Sequence, residues 1–168
     1  MALEMRTTVS PENVTAIIDT REQLPLDLAP LRTVTRMLTT GDYSVVGLEK
    51  VVSVERKSLV DLVQCVGRDR KRFDREVQRL LAYPVRAIVV EASWSEIERG
   101  DWRSQVKPSQ VTGSVLGWIA RGIPILLIGD HEAAGRAVSR LLLIAARRRW
   151  AEASALVRCV QEQTFPVG

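Results

Sequence analysis

Apolar residues along this chain fall into two rhythms, one of strands and one of helices. Short apolar or alternating runs at 14–19 (VTAIID), 34–38, 43–46, 51–57, 85–91 (VRAIVVE) and 123–128 predict six strands. Prolines at 25 and 30 make 23–30 a loop, and Gly41-Asp42 reads as a turn between the second and third strands. After residue 57 the spacing becomes helical. Leu59, Leu62, Val63 and Val66 share a face up to Gly67, with Ser58 as N-cap and Asp61 three residues on as the reciprocal acid of a capping box. Phe73, Val77, Leu80 and Leu81 give one apolar face to a helix over 71–83, which Pro84 stops. Further helices are predicted at 93–98, at 108–121 with proline at its start, and at 131–150 with Asp130 as N-cap. Residues 151–168 extend this last helix or follow it, with 164–168 expected to fray. Strands first, then helices and strands by turns, predict an α/β fold with a mixed central sheet flanked by helices.

Composition narrows the chemistry more than the fold. The chain has 168 residues, 46% of them apolar and 26% charged, enough for one domain that needs no disulfide or metal to hold its core. Its longest apolar runs, 123–128 and 141–146, are too short to span a bilayer, and the first residues show no leader pattern. The expectation is a soluble intracellular protein with no membrane partner, cytoplasmic or nucleoid-associated if bacterial or phage. Cys65 and Cys159 read as two buried thiols. His131, the one histidine, reads as an ordinary surface residue, and its solitude removes a paired-histidine metal site and a Ser-His-Asp triad. Hydrolytic chemistry in this chain therefore rests on carboxylates and lysine. A net charge of +4 permits an anionic partner without demanding one.

Asp42 opens one strand and Glu55-Arg56-Lys57 closes the next. Residues i and i+2 of a strand share a face, so Glu55 and Lys57 project together while Arg56 points away. In an antiparallel hairpin Asp42 approaches Glu55. Two converging carboxylates repel unless a divalent cation lies between them, and an all-oxygen set completed by water suits Mg2+ or Mn2+. Lys57 beside that ion would orient or deprotonate a water, or stabilise charge on a phosphate. Spacing alone leaves open an exposed hairpin with an ordinary ion pair.

The D…ExK arrangement is that of restriction-endonuclease-like nucleases, and the flanking motifs resemble one family among them, the XPF-type (ERCC4-domain) structure-selective endonucleases. Asp19-Thr20-Arg21-Glu22 is similar to their DxRE, Gly41-Asp42-Tyr43 to their GDY, and Glu55 through Asp61 to their ERKxxxD. Gly67-Arg68 with Arg72-Phe73-Asp74-Arg75-Glu76 resembles a divergent GR-(F/Y)xxQ, with extra residues inserted and Glu76 in place of glutamine. The resemblance runs over about 14–149. It implies a restriction-endonuclease-like nuclease domain at 14–150, between an N-terminal extension at 1–13 and a C-terminal helical extension and tail at 151–168. It further implies a Mg2+- or Mn2+-dependent endonuclease cutting branched DNA, whether fork, flap or junction. Asp42, Glu55 and the Arg56 backbone carbonyl would be metal ligands, Lys57 the catalytic lysine, and Asp19 and Glu22 further acids of the catalytic site. Arg21 and Arg56 would be phosphate contacts or braces, and Tyr43 packing. Asp61 stands open between a structural cap and a catalytic role. Residues after Trp150 are too few for the helix-hairpin-helix or helicase units that many relatives add. The alternative is a catalytically silent subunit that binds branched DNA or scaffolds a partner, although such subunits usually lose the acids that are present here.

Three surface features complete the reading. Arg68, Arg72, Arg75 and Arg79 recur at helical spacing, and Arg68 and Arg72 are the expected phosphate contacts, diluted by Asp69, Asp74 and Glu76. Arg147-Arg148-Arg149 with Trp150 is a second basic cluster, suited to DNA or to a helix C-terminus. Leu141 to Ile144 are consecutive apolar residues, so part of the last helix faces away from the core and predicts a homodimer through the C-terminal helices.

Overall fold

A computed structural model describes residues 9–164. Most of the expected N-terminal extension and the fraying end at 165–168 lie outside them. Six strands form one sheet: β1 (Thr15–Asp19), β2 (Arg32–Arg36), β3 (Tyr43–Val45), β4 (Val52–Ser58), β5 (Val85–Glu91) and β6 (Ile125–Leu127), ordered β2-β1-β3-β4-β5-β6. The sheet is mixed, as expected. β1 is parallel to β2 and antiparallel to β3, β3 is antiparallel to β4, and β4, β5 and β6 run parallel.

Helices α1 (Leu59–Val66), α2 (Arg70–Leu81), α3 (Trp94–Arg99) and α4 (Pro108–Ala120) cover one face, and α5 (His131–Thr164) covers the other. The period of two along β5 divides the core between them. Ile88 and Val90 pack with Leu62, Val77 and Val115, while Val89 packs with Val54, Val138 and Leu142. Phe73 and Trp118 meet edge to face at 4.9 Å, tying α2 to α4. On the opposite side α5 closes on the loop after β1 at Gly135, where a Cβ would lie 2.5 Å from the Asp27 carbonyl oxygen.

Several boundaries differ from the expectation for local reasons. The second strand occupies 32–36 rather than 34–38, because the Leu38 amide leaves the ladder to bond the Asp19 carboxylate at 2.5 Å. It also lies beyond β1 and does not pair with β3, so the turn at Gly41-Asp42 joins strands that are not neighbours. The last strand shortens to 125–127 after Pro124, which has no N–H to give, and Ile123 turns back to bond the end of α4. The final helix runs unbroken through 150 to Thr164. Of the four consecutive apolar residues, Leu142 is buried, Leu141 and Leu143 are half-buried, and Ile144 alone is exposed. Further exposed apolar residues follow at Leu156, Val157 and Val160. Cys65 is buried as expected, whereas Cys159 is exposed on the far part of α5.

Candidate active site

The site begins at a glycine. Gly41 has φ +76°, and a Cβ there would overlap the Ser53 hydroxyl and stand 3.0 Å from the Val54 carbonyl oxygen, so only glycine brings the chain this close to β4. The next residue is thereby fixed between two strands. The Asp42 amide donates to the Val54 carbonyl at 2.8 Å, and the Asp42 carbonyl accepts from the Asp19 amide at 2.8 Å. Tyr43 pairs with Val54 in the antiparallel register, so one step on Asp42 stands opposite Glu55 on the face covered by α1 and α2. The Asp42 carboxylate accepts the Arg56 amide at 2.7 Å. Glu55 is 3% exposed; one oxygen is ion-paired with the Lys57 ammonium, and the other, Oε2, is buried with no partner. Lys57 Nζ lies 5.2 Å from the centre of the Phe73 ring of α2.

Charge follows from this geometry. Burial pushes the Asp42 carboxyl up to about 6, against the Arg56 amide and the Lys57 charge that pull it down. Burial, and then the charge of Asp42, carry Glu55 well above the ordinary carboxylate range. Lys57 is desolvated too, but the Glu55 carboxylate more than offsets this and raises its pKa, so it stays an ammonium. Burial, against the Lys57 charge and helped by that of Glu55, pushes the nearby Cys65 thiol up to about 12, which leaves it a poor nucleophile.

The opposite face of β4 carries Arg56, expected as a phosphate contact or brace, in a network whose further members Glu91 and His131 the sequence reading missed. Arg56 Nε and Nη2 donate to the two oxygens of Glu91 at 2.6 and 2.9 Å, and Arg56 Nη1 lies 3.5 Å from Glu22 Oε1. The Tyr43 hydroxyl is 3.4 Å from Glu22 Oε2 and accepts the Leu26 amide at 3.0 Å. His131, at the start of α5, closes the chain with Nδ1 2.8 Å from Glu91 Oε1, and so is not the ordinary surface residue expected. Arg56 is therefore 10% exposed and committed to two carboxylates. One signal for Glu91 was available: an acid ending the buried run VRAIVVE, as Asp19 ends VTAIID. The contact with His131, 40 residues away, has no local signature.

The remaining expected site residues divide by position. Asp19 is 1% exposed with both oxygens engaged, Oδ1 by Arg21 N and Nε and Oδ2 by the Leu38 amide. Arg21 is two-thirds exposed, held by Asp19 and by the Leu38 carbonyl at 2.9 Å. Asp61 makes the capping box with Ser58: its amide donates to Ser58 Oγ at 3.1 Å and its carboxylate accepts from the Ser58 hydroxyl at 2.6 Å. Arg68 sits in the turn before α2 rather than on the helix, since Gly67 ends α1, and Arg72 lies on the first turn of α2; both are exposed.

Among the described residues, no three His, Cys, Asp or Glu side chains are arranged to hold a metal ion directly. The half-buried Asp42 and the buried Glu55 nevertheless stand opposite each other across the β3–β4 pair, and one oxygen of Glu55 is out of water without a hydrogen bond, a state that costs about 1–3 kcal/mol or more. An all-oxygen pair with a vacant lone pair fits a hard divalent cation that keeps part of its own water. No helix among the described residues is long and apolar enough to cross a membrane.

The family model of the ERCC4 domain matches residues 18–141. Among solved structures, XPF from Aeropyrum pernix is similar with a TM-score of 0.65 and 19% identity, over 79% of this chain and 62% of that one. XPF from Aeropyrum pernix in complex with DNA gives 0.64 and 19%, over 80% of this chain and 66% of that one. At these identities the likeness is one of fold, and the chain spans less than two thirds of the length of either XPF chain. Comparison with curated proteins yields no match.

Proposed function

Because this chain belongs to the ERCC4 domain family, we propose that it is a divalent-metal-dependent DNA endonuclease that cuts branched DNA. The observation that carries this reading is the pairing of Asp42 with Glu55 across β3 and β4, with Glu55 Oε2 unsatisfied and Lys57 alongside. Asp42, Glu55 and the Arg56 backbone carbonyl would hold Mg2+ or Mn2+, which when bound supplies Lewis-acid polarisation of a phosphate and acidifies a water. Lys57, kept protonated by Glu55, faces the same point and offsets negative charge building on a phosphate. Arg21, exposed at the mouth, serves as a phosphate contact. Asp19 holds Arg21 and the end of β1 in place, and Glu22, Glu91 and Arg56 brace the catalytic strand from behind.

That one similar XPF structure is a complex with DNA supports DNA as the partner. Arg68 and Arg72 would extend the contact along the duplex backbone. The nuclease unit would be 14–150, with the rest of α5 as an extension through which two copies pair, and the protein would work inside the cell where its DNA lies. The test is cleavage of labelled fork, flap and four-way-junction DNA with and without Mg2+. At least one branched substrate should be cut only with metal, and Glu55→Gln should cut none while keeping its fold. A Glu55→Gln variant cutting at the wild-type rate would remove the acid pair from the mechanism.

A further inference from the structure

One acid facing this site has no part in the reading above. Glu76 lies on α2 one turn after Phe73, the residue whose ring approaches the Lys57 ammonium. Phe73, Val77 and Leu80 form the buried stripe of α2, and Glu76 sits on its edge, three residues from Phe73 and four from Leu80. It is half-buried rather than solvated. Arg72, one turn earlier and well placed to draw a surface carboxylate outward, is instead 3.3 Å from Asp69. After burial and nearer partners, Glu76 is among the charges acting on Asp42, Glu55 and Lys57 alike, and on Arg21. Glu76 on α2 thus borders the strands that carry Asp42 and Glu55 closely enough for its charge to act on both, and Glu55, the most deeply buried of the three, has an oxygen without a partner.

Like charges brought together are unfavourable unless something positive joins them. Lys57 neutralises one, which leaves an excess of negative charge. The three acids do not form a direct ligand cage, but Mg2+ and Mn2+ sites built on few protein ligands retain water, and carboxylates one step back accept hydrogen bonds from it. We infer that Glu76 is a third acid of the cation site, a positioning residue that reaches the ion through the ion's own water. The inference rests on the metal-dependent reading and assigns to it a residue of α2.

Mn2+ itself is the probe, with bound ion counted from the paramagnetic resonance of the free ion, on the full chain and its Glu76→Gln, Glu76→Asp and Glu55→Gln variants. Glu76→Gln should weaken Mn2+ binding about 10-fold, in the range of other water-mediated partners of metal sites, and Glu76→Asp, which keeps the charge, should recover part of it. Without metal, Glu76→Gln should melt no lower than wild type, because it removes one of three mutually repelling acids. A merely structural glutamate would lower the melting point and leave the affinity of the folded fraction unchanged. Wild-type Mn2+ affinity in Glu76→Gln overturns the inference. If Glu76→Gln loses both fold and affinity, Glu76→Asp decides: recovered binding supports the role and absent binding overturns it. A wild-type chain that binds no Mn2+, or a Glu55→Gln variant that binds as well as wild type, overturns the metal reading itself and this inference with it.

Discussion

Burial holds the Asp42 carboxyl at about 6, where an ordinary aspartate would be near 3.8, and Glu55 is moved in the same direction. Between those two values the folded chain keeps a proton that the unfolded chain has released. The associated stability is fully present below about 4 and is lost as pH rises through about 6. Asp19, whose burial is outweighed by Arg21 and two amides, and Glu91, held down by Arg56 and His131, are depressed instead. Their stability is present above their ordinary values of 3.8 and 4.5 and is lost below them, outside most of that window. The metal-free protein should therefore melt progressively lower from about pH 4.5 to about pH 7, losing on the order of 2 kcal/mol of stability if Asp42 acts alone. Mg2+ should restore most at the high end, where the acids are ionised, and Asp42→Asn should flatten the profile. Thermal unfolding in a chelator across this range decides it, and a melting point that is level or rising would mean that Asp42 is not held protonated.

At the scale of single elements, the corner between α1 and α2 carries the proposed contact with DNA. The regular spacing of Arg68, Arg72, Arg75 and Arg79 suggests one helical stripe, but Gly67 ends α1 and leaves Arg68 in the turn. There Asp69 lies 3.9 Å from Arg68 and 3.3 Å from Arg72, both more than 70% exposed, so a phosphate has only a weak surface pair to displace. Replacing both arginines with Ala should make the salt dependence of duplex binding shallower by up to about two units of log–log slope, equally for every sequence. An unchanged slope in binding titrations at several salt concentrations would move the track elsewhere. The cluster at 147–149 is a weaker claimant, since Arg148 and Arg149 pair with Glu152 at 3.1 and 2.7 Å and Arg147 Nε bonds the Val9 carbonyl at 2.8 Å. Elements of this kind were legible where their signals are local. Ser58 with Asp61 and Asp130 with Ala133 cap the helices that the sequence predicts, because a cap needs only residues three apart. The edges of β2 and β6 were not, because a carboxylate 19 residues away sets one and a buried helix end sets the other.

The same division holds for the whole molecule. Glu55 beside Lys57 follows from the period of a strand, and Asp42 opposite Glu55 from a short antiparallel connection. The brace of Glu22, Arg56, Glu91 and His131 joins β4, β5, α5 and the loop after β1 and becomes visible only when the sheet order is known. The far end of α5 poses the converse problem. Ser154 is the last buried residue among those described, and beyond it Leu156, Val157 and Val160 fall at i, i+1 and i+4 on one face, 69%, 41% and 62% exposed. A free segment of about ten residues is too short to persist as a helix in water by its own propensity. An apolar stripe on such a segment is stabilised when a second copy supplies the matching face, as the homodimer reading requires. Light scattering at roughly 50 micromolar, where a modest interface is largely occupied, should give the mass of a dimer. Leu156→Glu combined with Val160→Glu should give a monomer with an unchanged metal-free melting point of the domain body, since neither residue joins either core. A wild-type monomer at that concentration would defeat the dimer, and a double variant that remains dimeric would place the interface on another face.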